Sequence, residues 1–216
     1  MSDDNAIRRR RKEARPQELL DAALELFVEK GFAATRAEEV ALRAGVSKGT
    51  LYLYYPSKEE LLKAVIAQHL SSQVAAGAQA AERFDGSCAE LLNELLARWW
   101  ENVLESPASG IFKLMITEVR NFPEIAEYYR REVIEPATQI VGQVIQRGID
   151  RGEFRAVDVP FAIHSLVLPL VMLCVHRHSM GACLPPDTVL DGPGFIRQHI
   201  ALVLGGLLRR DAPLPA

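Results

Sequence analysis

Apolar residues recur with a helical period along almost the whole chain, and the breaks in that period divide it into short and long helices. Leu20, Ala23, Leu24 and Phe27 fall at i, i+3, i+4 and i+7, the buried stripe of a first helix. Gly31 follows at its C′ position, with Phe32 placed for the apolar contact beyond. Val40, Ala41 and Ala44 give a second helix one narrow stripe, and Thr35 with Glu38 reads as a capping box that starts it at Arg36. Gly45 offers the positive φ of a tight turn, and Val46 can pack across the corner. Ser47 is a good N-cap for a third helix running to about Tyr54, where Pro56 stops it. Ser57 and Glu60 repeat the capping-box pattern and open a fourth helix at Lys58.

Beyond residue 62 the pattern stays helical, and helices are predicted near 58–82, 87–105, 108–120, 124–151 (broken around Pro136), 158–178 and 194–209. No strand-like alternation is sustained, so the fold class is all-α: an N-terminal three-helix helix-turn-helix domain followed by a helical ligand-binding and dimerisation domain. Residues 1–14 read as a basic flexible arm, 15–62 as the helix-turn-helix unit and 63–216 as the second domain. Segment 159–175 is apolar on nearly every side, which predicts burial all round, against its own core and a partner subunit. His164, Ser165 and Pro169 interrupt it as a bilayer span, so no membrane is expected. The last helix carries Ile196, Ile200, Val203, Leu204, Leu207 and Leu208 on a broad stripe, with Gly205 and Gly206 permitting close approach. Two such helices from each subunit predict a four-helix homodimer interface.

A helix, a glycine turn and a second helix place that second helix free to enter a DNA major groove. Between Ala41 and Ser57 there is no acidic residue, while Arg43, Lys48 and then Lys58 are basic. Phosphate binding needs cations, hydroxyls and exposed backbone N–H groups at helix starts, and Thr35, Ser47 and Ser57 sit at such starts. Lys48, Gly49 and Thr50 fall in the first turn of the third helix, the part that reaches base edges. Gly49 costs that helix about 1 kcal/mol against Ala, which is reasonable where backbone approaches DNA closely. Tyr52 and Tyr54 can offer a ring to a thymine methyl and a hydroxyl to a phosphate, whereas Leu51 and Tyr55 fall on the opposite, core-facing side. The run Arg8-Arg9-Arg10-Arg11-Lys12 reads either as a solvated tail or as an arm along phosphates or a minor groove.

Charge and composition narrow the picture. The net charge is −3 and the isoelectric point about 6.0, and residues 1–60 balance eleven Lys and Arg against eleven Asp and Glu. Positive charge is therefore local, which suits a protein that must leave DNA readily. Three cysteines without C-x-x-C spacing point to a reducing compartment, and no signal peptide is evident. No nucleophile motif, metal-ligand spacing or glycine-rich phosphate loop appears, so neither an enzyme nor a metal or cofactor is expected.

The string Gly31-Phe32, Thr35, Ala41, Ala44-Gly45-Val46-Ser47, Gly49-Thr50-Leu51-Tyr52, Tyr55 and Ser57-Lys58-Glu59-Glu60-Leu61 resembles the N-terminal domain of the TetR family of bacterial transcriptional regulators, over roughly residues 15–65. The resemblance implies a cytoplasmic homodimer that binds a palindromic double-stranded DNA operator and is usually released by a small ligand. It implies DNA contacts at Thr35, Ser47, Lys48, Gly49, Thr50, Tyr52, Leu53, Tyr54 and Lys58. Leu53 stands where the family often has an aromatic or polar residue and cannot donate to a phosphate; Tyr54 stands where His is frequent and keeps a hydroxyl. An activator of the same family, or a ligand-independent architectural DNA binder, are the competing readings.

For an effector, the middle helices offer Trp99, Phe112, Met115, Phe122, Tyr128, Phe161, His164 and Met172 as candidate pocket residues, implying a small apolar or amphipathic ligand. His176 and His178 point about 200° apart, poor geometry for one metal.

Overall fold

Gly31, at φ 87°, and Gly45, at φ 65°, turn the chain at the two corners where the sequence puts them, and three short helices follow from that. A computed structural model describes residues 2–185 and 190–209, with side chains from Arg15 onward. Helix α1 runs Ser2–Lys30, so helical backbone extends through the segment expected as an arm; the side chains of its basic run lie outside the described residues. The Gly31 amide closes α1 on the Phe27 carbonyl at 2.9 Å. Helix α2 spans Ala37–Arg43, α3 Lys48–Tyr54 and α4 Lys58–Ile66. Ser47 and Ser57 cap α3 and α4 as expected, each hydroxyl accepting from the amide three residues on at 3.1 Å. At α2 the cap sits one residue later than predicted: Glu39 Oε2 accepts from the Arg36 amide at 3.1 Å, because Thr35 is engaged elsewhere.

Helix α4 continues through a π turn, Ala67–Ser71, into α5, Ser72–Arg83. Then come α6 (Cys88–Glu105), α7 (Ser109–Glu118), α8 (Pro123–Tyr129), α9 (Glu135–Asp150), α10 (Val159–Arg177) and α11 (Gly192–Leu207). The break expected near Pro136 is a second π turn, Arg130–Ile134, joining α8 to α9 without a loop. A widened turn just before a residue that has no N–H lets the helix absorb the proline. Among the described residues there is no strand, only an isolated bridge between Phe154 and Leu208.

The buried apolar residues form one continuous cluster from Leu19 to Leu208. Helix α11 lies along α6, α10 lies against α7, α9 and α11, and α1 touches α4, α2 and α7. The α1–α7 crossing is close: a Cβ on Gly110 would fall 2.4 Å from Val28 Cγ2.

Within one chain each of the last two helices buries one side, and for α11 this corrects the expectation. On α10 only one side is buried, through Ala162, Ile163, Leu166, Leu170, Leu173 and Cys174; Phe161 and Met172 are exposed, and His164 and Leu168 are exposed at the mouth of a cavity. On α11 the stripe Ile196, Ile200, Leu204, Leu207 and Leu208 is spent on the chain's own core, and the exposed side is Ala201, Leu202, Gly205 and Gly206. Residues Val159–Cys183, with mean hydropathy 2.0, are long and apolar enough to cross a bilayer, but α10 is the packing partner of three other helices.

Gly110→Ala should force α1 and α7 apart and cost about 1–3 kcal/mol, as overpacking does. Urea unfolding of the variant should show a lower midpoint with an unchanged slope.

Candidate nucleic-acid interface and effector cavity

Because Leu51 is fully buried, the residues on either side of it on α3 are turned outward. Ser47, Lys48, Gly49, Tyr52 and Leu53 are exposed together, Leu53 to 81 %, while Thr50, Tyr54 and Tyr55 are half-buried. The Thr50 and Ser47 hydroxyls lie 2.9 Å apart at the start of the helix. A Cβ on Gly49 would meet nothing nearer than Ser47 Oγ at 3.8 Å, so packing within the chain gives no reason for glycine there.

Two of the expected DNA-contact residues sit differently. Thr35 is 1 % exposed, and its hydroxyl lies 2.7 Å from the Gly31 carbonyl and 3.2 Å from that of Leu26. It ties the end of α1 to the start of α2 instead of facing solvent. Lys58 Nζ donates to the carbonyls of Phe32 (2.8 Å), Thr35 (3.1 Å) and Ala33 (3.2 Å) and lies 4.5 Å from the centre of the Phe32 ring. Its ammonium thus holds the α1–α2 turn, a use that spacing along the chain does not reveal. Three further cations of the unit are paired with carboxylates. Arg43 meets Glu25 at 2.9 Å and Glu29 at 3.4 Å, Lys30 meets Glu39 at 2.7 Å, and Lys48 pairs with Glu38. These partners hold the Glu38 and Glu39 carboxyls below the usual range, through hydrogen bonds from Lys48 and Lys30 respectively.

In the second domain α5, α6, α7, α9 and α10 surround a cavity of about 680 Å³. Trp99, Phe112, Met115 and His164 line it; the sequence reading did not single out the aliphatic wall of Val133, Ile163, Val167 and Val171. Phe122 and Tyr128 do not reach it. Phe122 instead packs edge-on against Phe32 at 4.7 Å, and Tyr128 lies under Arg131 at 6.0 Å. Phe161 and Met172 are exposed, 70 % and 58 %, on the far side of α10. An all-apolar helix carries no pattern saying which face meets the cavity, and that is why those two were misassigned. Trp99 and Trp100 meet edge to face at 4.6 Å, with both indole N–H groups buried and without a hydrogen-bond partner. Burial raises the Tyr129 phenol well above its ordinary value and pushes the Cys174 thiol up to about 12. Among the described residues no His, Cys, Asp and Glu cluster fit to hold a metal ion occurs.

Between the two parts sits His69, in the first π turn. Its Nε2 is buried without a partner, and desolvation lowers its pKa below the ordinary 6.5, with Asp21 pulling weakly the other way.

A helix-turn-helix with a capped, outward-facing α3, joined to a helical domain with an open, mainly apolar cavity, defines a DNA-binding regulator with a sensing domain. Residues 19–65 match the family model for bacterial regulatory proteins of the TetR family, and residues 85–188 match the tetracycline repressor-like C-terminal domain. The chain belongs to the TetR family. It is 29 % identical over 154 residues to the uncharacterised regulator YfiR of Bacillus subtilis, covering 70 % of this chain and 74 % of that one. It is 26 % identical over 198 residues to the transcriptional repressor KstR2 of Rhodococcus jostii, covering 91 % and 92 %. In fold it is similar to FadR of Bacillus subtilis, solved in complex with stearoyl-CoA, with a TM-score of 0.71, 18 % identity, and coverage of 88 % and 98 %.

Thr35→Val should lower stability by about 1–2 kcal/mol through loss of the one hydroxyl hydrogen bond, made to the Gly31 carbonyl and shared with that of Leu26, seen as a lower unfolding midpoint. A loss of DNA affinity with unchanged stability would instead put that hydroxyl on a phosphate. The depressed His69 pKa sets a direction with pH. As pH falls below 6.5 the unfolded chain takes the proton first, so this histidine's contribution is present above 6.5 and drains away below it. Between about pH 7.5 and pH 5.5 the protein should therefore lose more stability than its His69→Gln variant, measured by urea unfolding.

Proposed function

We propose that this regulator is a ligand-responsive repressor of the bacterial cytoplasm that binds a near-palindromic operator as a homodimer and releases it when an amphipathic, acyl-type molecule fills the cavity. The observation that carries the reading is the cavity itself, whose volume lies within the usual range for ligand sites and whose inner wall is aliphatic and aromatic. The FadR likeness supports an acyl chain as its occupant, since that fold holds stearoyl-CoA. Gln73, Arg98 and Asn102 among the lining residues give a polar headgroup something to meet. The KstR2 likeness over nearly the whole chain supports repression. Dimerisation is supported by exposed apolar residues outside the cavity: Phe161 and Met172 on α10 and Leu202 beside Gly205 and Gly206 on α11, where an added Cβ would meet no atom. Two-fold docking then demands half-sites about 34–36 Å apart.

In this reading Ser47, Lys48, Gly49, Thr50, Tyr52, Leu53 and Tyr54 face the operator. Leu53 offers apolar contact to a thymine methyl, and the tyrosine hydroxyls reach phosphates. Lys58 and Thr35 act mainly by holding the α1–α2 turn. Coupling has two routes. Gln73, Val74 and Gly77 of α5 line the cavity, and α5 is continuous with α4. Met115 and Ile116 of α7 also line it, and the α7–α8 connection carries Phe122 against Phe32. A ligand that moves either one changes the spacing of the two recognition helices and so the fit to DNA.

Selection from a random duplex pool should yield a palindrome with half-sites one turn apart. Stearoyl-CoA or a long-chain fatty acid should then lower affinity for it by about 5- to 150-fold. Ala137→Phe, which fills the cavity, should keep operator binding and lose that response. Unchanged affinity at saturating acyl ligand would overturn the effector assignment, and failure to enrich any sequence would overturn the operator.

A further inference from the structure

From α2, Glu38 reaches across to α3 and pairs with Lys48, the only cation in the first turn of α3. Both side chains are more than half exposed, so no core packing forces the pair together. The ammonium also lies 5.7 Å from the centre of the Tyr52 ring, one turn further along the same helix. It is held from two sides over α3, instead of extending freely toward a DNA backbone.

We propose that Glu38 is a specificity-determining residue. It positions Lys48 over the base-reading turn of α3 and withholds it from phosphates. The idea rests on α3 facing DNA, as argued above. Binding to random DNA is almost wholly a matter of neutralised phosphates. A carboxylate on the reading surface that already occupies a cation removes one such neutralisation and adds a repulsive charge. At the operator the same carboxylate leaves the remaining N–H groups of Lys48 directed along α3, where the acceptors are base edges. Glu38 therefore weakens non-specific binding more than operator binding. The sequence itself hides this: the pair is ten residues apart and spans a turn.

Glu38→Gln and Lys48→Ala separate the possibilities, with titrations of random duplex and of a selected operator over a range of salt. Thermal melting first confirms that both surface variants fold. Expected for Glu38→Gln is tighter binding to random DNA, with a salt slope steeper by about 0.9, and no matching gain on the operator, so that the specificity ratio falls. Glu38→Asp should recover part of the ratio. If Lys48→Ala weakens binding but Glu38→Gln leaves the random-DNA slope and the ratio unchanged, the role given to Glu38 is wrong. If neither variant changes binding to any DNA, α3 does not face DNA through Lys48, and the placement beneath the proposal fails with it. An equal gain on operator and random DNA also overturns it, since Glu38 would then be a general repulsive charge.

Discussion

The Lys58 ammonium, set on the Phe32 ring and donating to three carbonyls of one turn, is the contact on which the DNA-binding unit and its link to the sensing domain both depend. The α1–α2 connection is short and reverses direction, so its carbonyls converge without helical partners. Carbonyls left unpaired at a partly buried turn are costly, and a single cation with three N–H groups satisfies them together. Thr35 completes the arrangement from below by binding the carbonyls of Leu26 and Gly31. With the turn fixed, α2 and α3 are presented at one angle, and that angle fixes where Lys48, Tyr52 and Leu53 project.

The same turn is where the second domain takes hold. Phe32 is flanked by Phe27 at 5.2 Å and by Phe122 at 4.7 Å, and Phe122 comes from the α7–α8 connection. One apolar seam thus runs from the cavity wall on α7 to the carbonyls that Lys58 holds. On the other side α4 and α5 form a continuous rod interrupted by a π turn, and a second π turn packs near it between α8 and α9.

Electrostatics around α3 follow a different logic. Lys30, Arg43 and Lys48 each have an acidic partner, though residues 41–57 contain none. Those partners come from α1 and α2. A pair as exposed as Lys48 and Glu38 contributes little to stability, since solvent screens it. Its consequence lies in what the surface offers an approaching polyanion: a cation in the reading turn that must be competed for.

Local chemistry alone determined much of this protein. Capping serines, positive-φ glycines, the helical period and Pro56 are decided within a few residues, so α3 and α4, the corners between the short helices and the boundaries of α6, α7, α10 and α11 were readable from the chain to within about two residues, while the π turn between α8 and α9 was not. The family likeness rested on the same short-range string. What only the tertiary structure decided is how side chains are shared between distant segments. Thr35 was free to cap α2 until α1 offered it two carbonyls, and Lys58 was free to meet phosphate until the turn claimed it. On α10 the hydrophobic pattern is uniform, so nothing local separates Ile163 and Val167, which line the cavity, from Phe161 and Met172, which do not. Sequence periodicity records which residues avoid water, and it is packing against other helices that selects the face each one occupies.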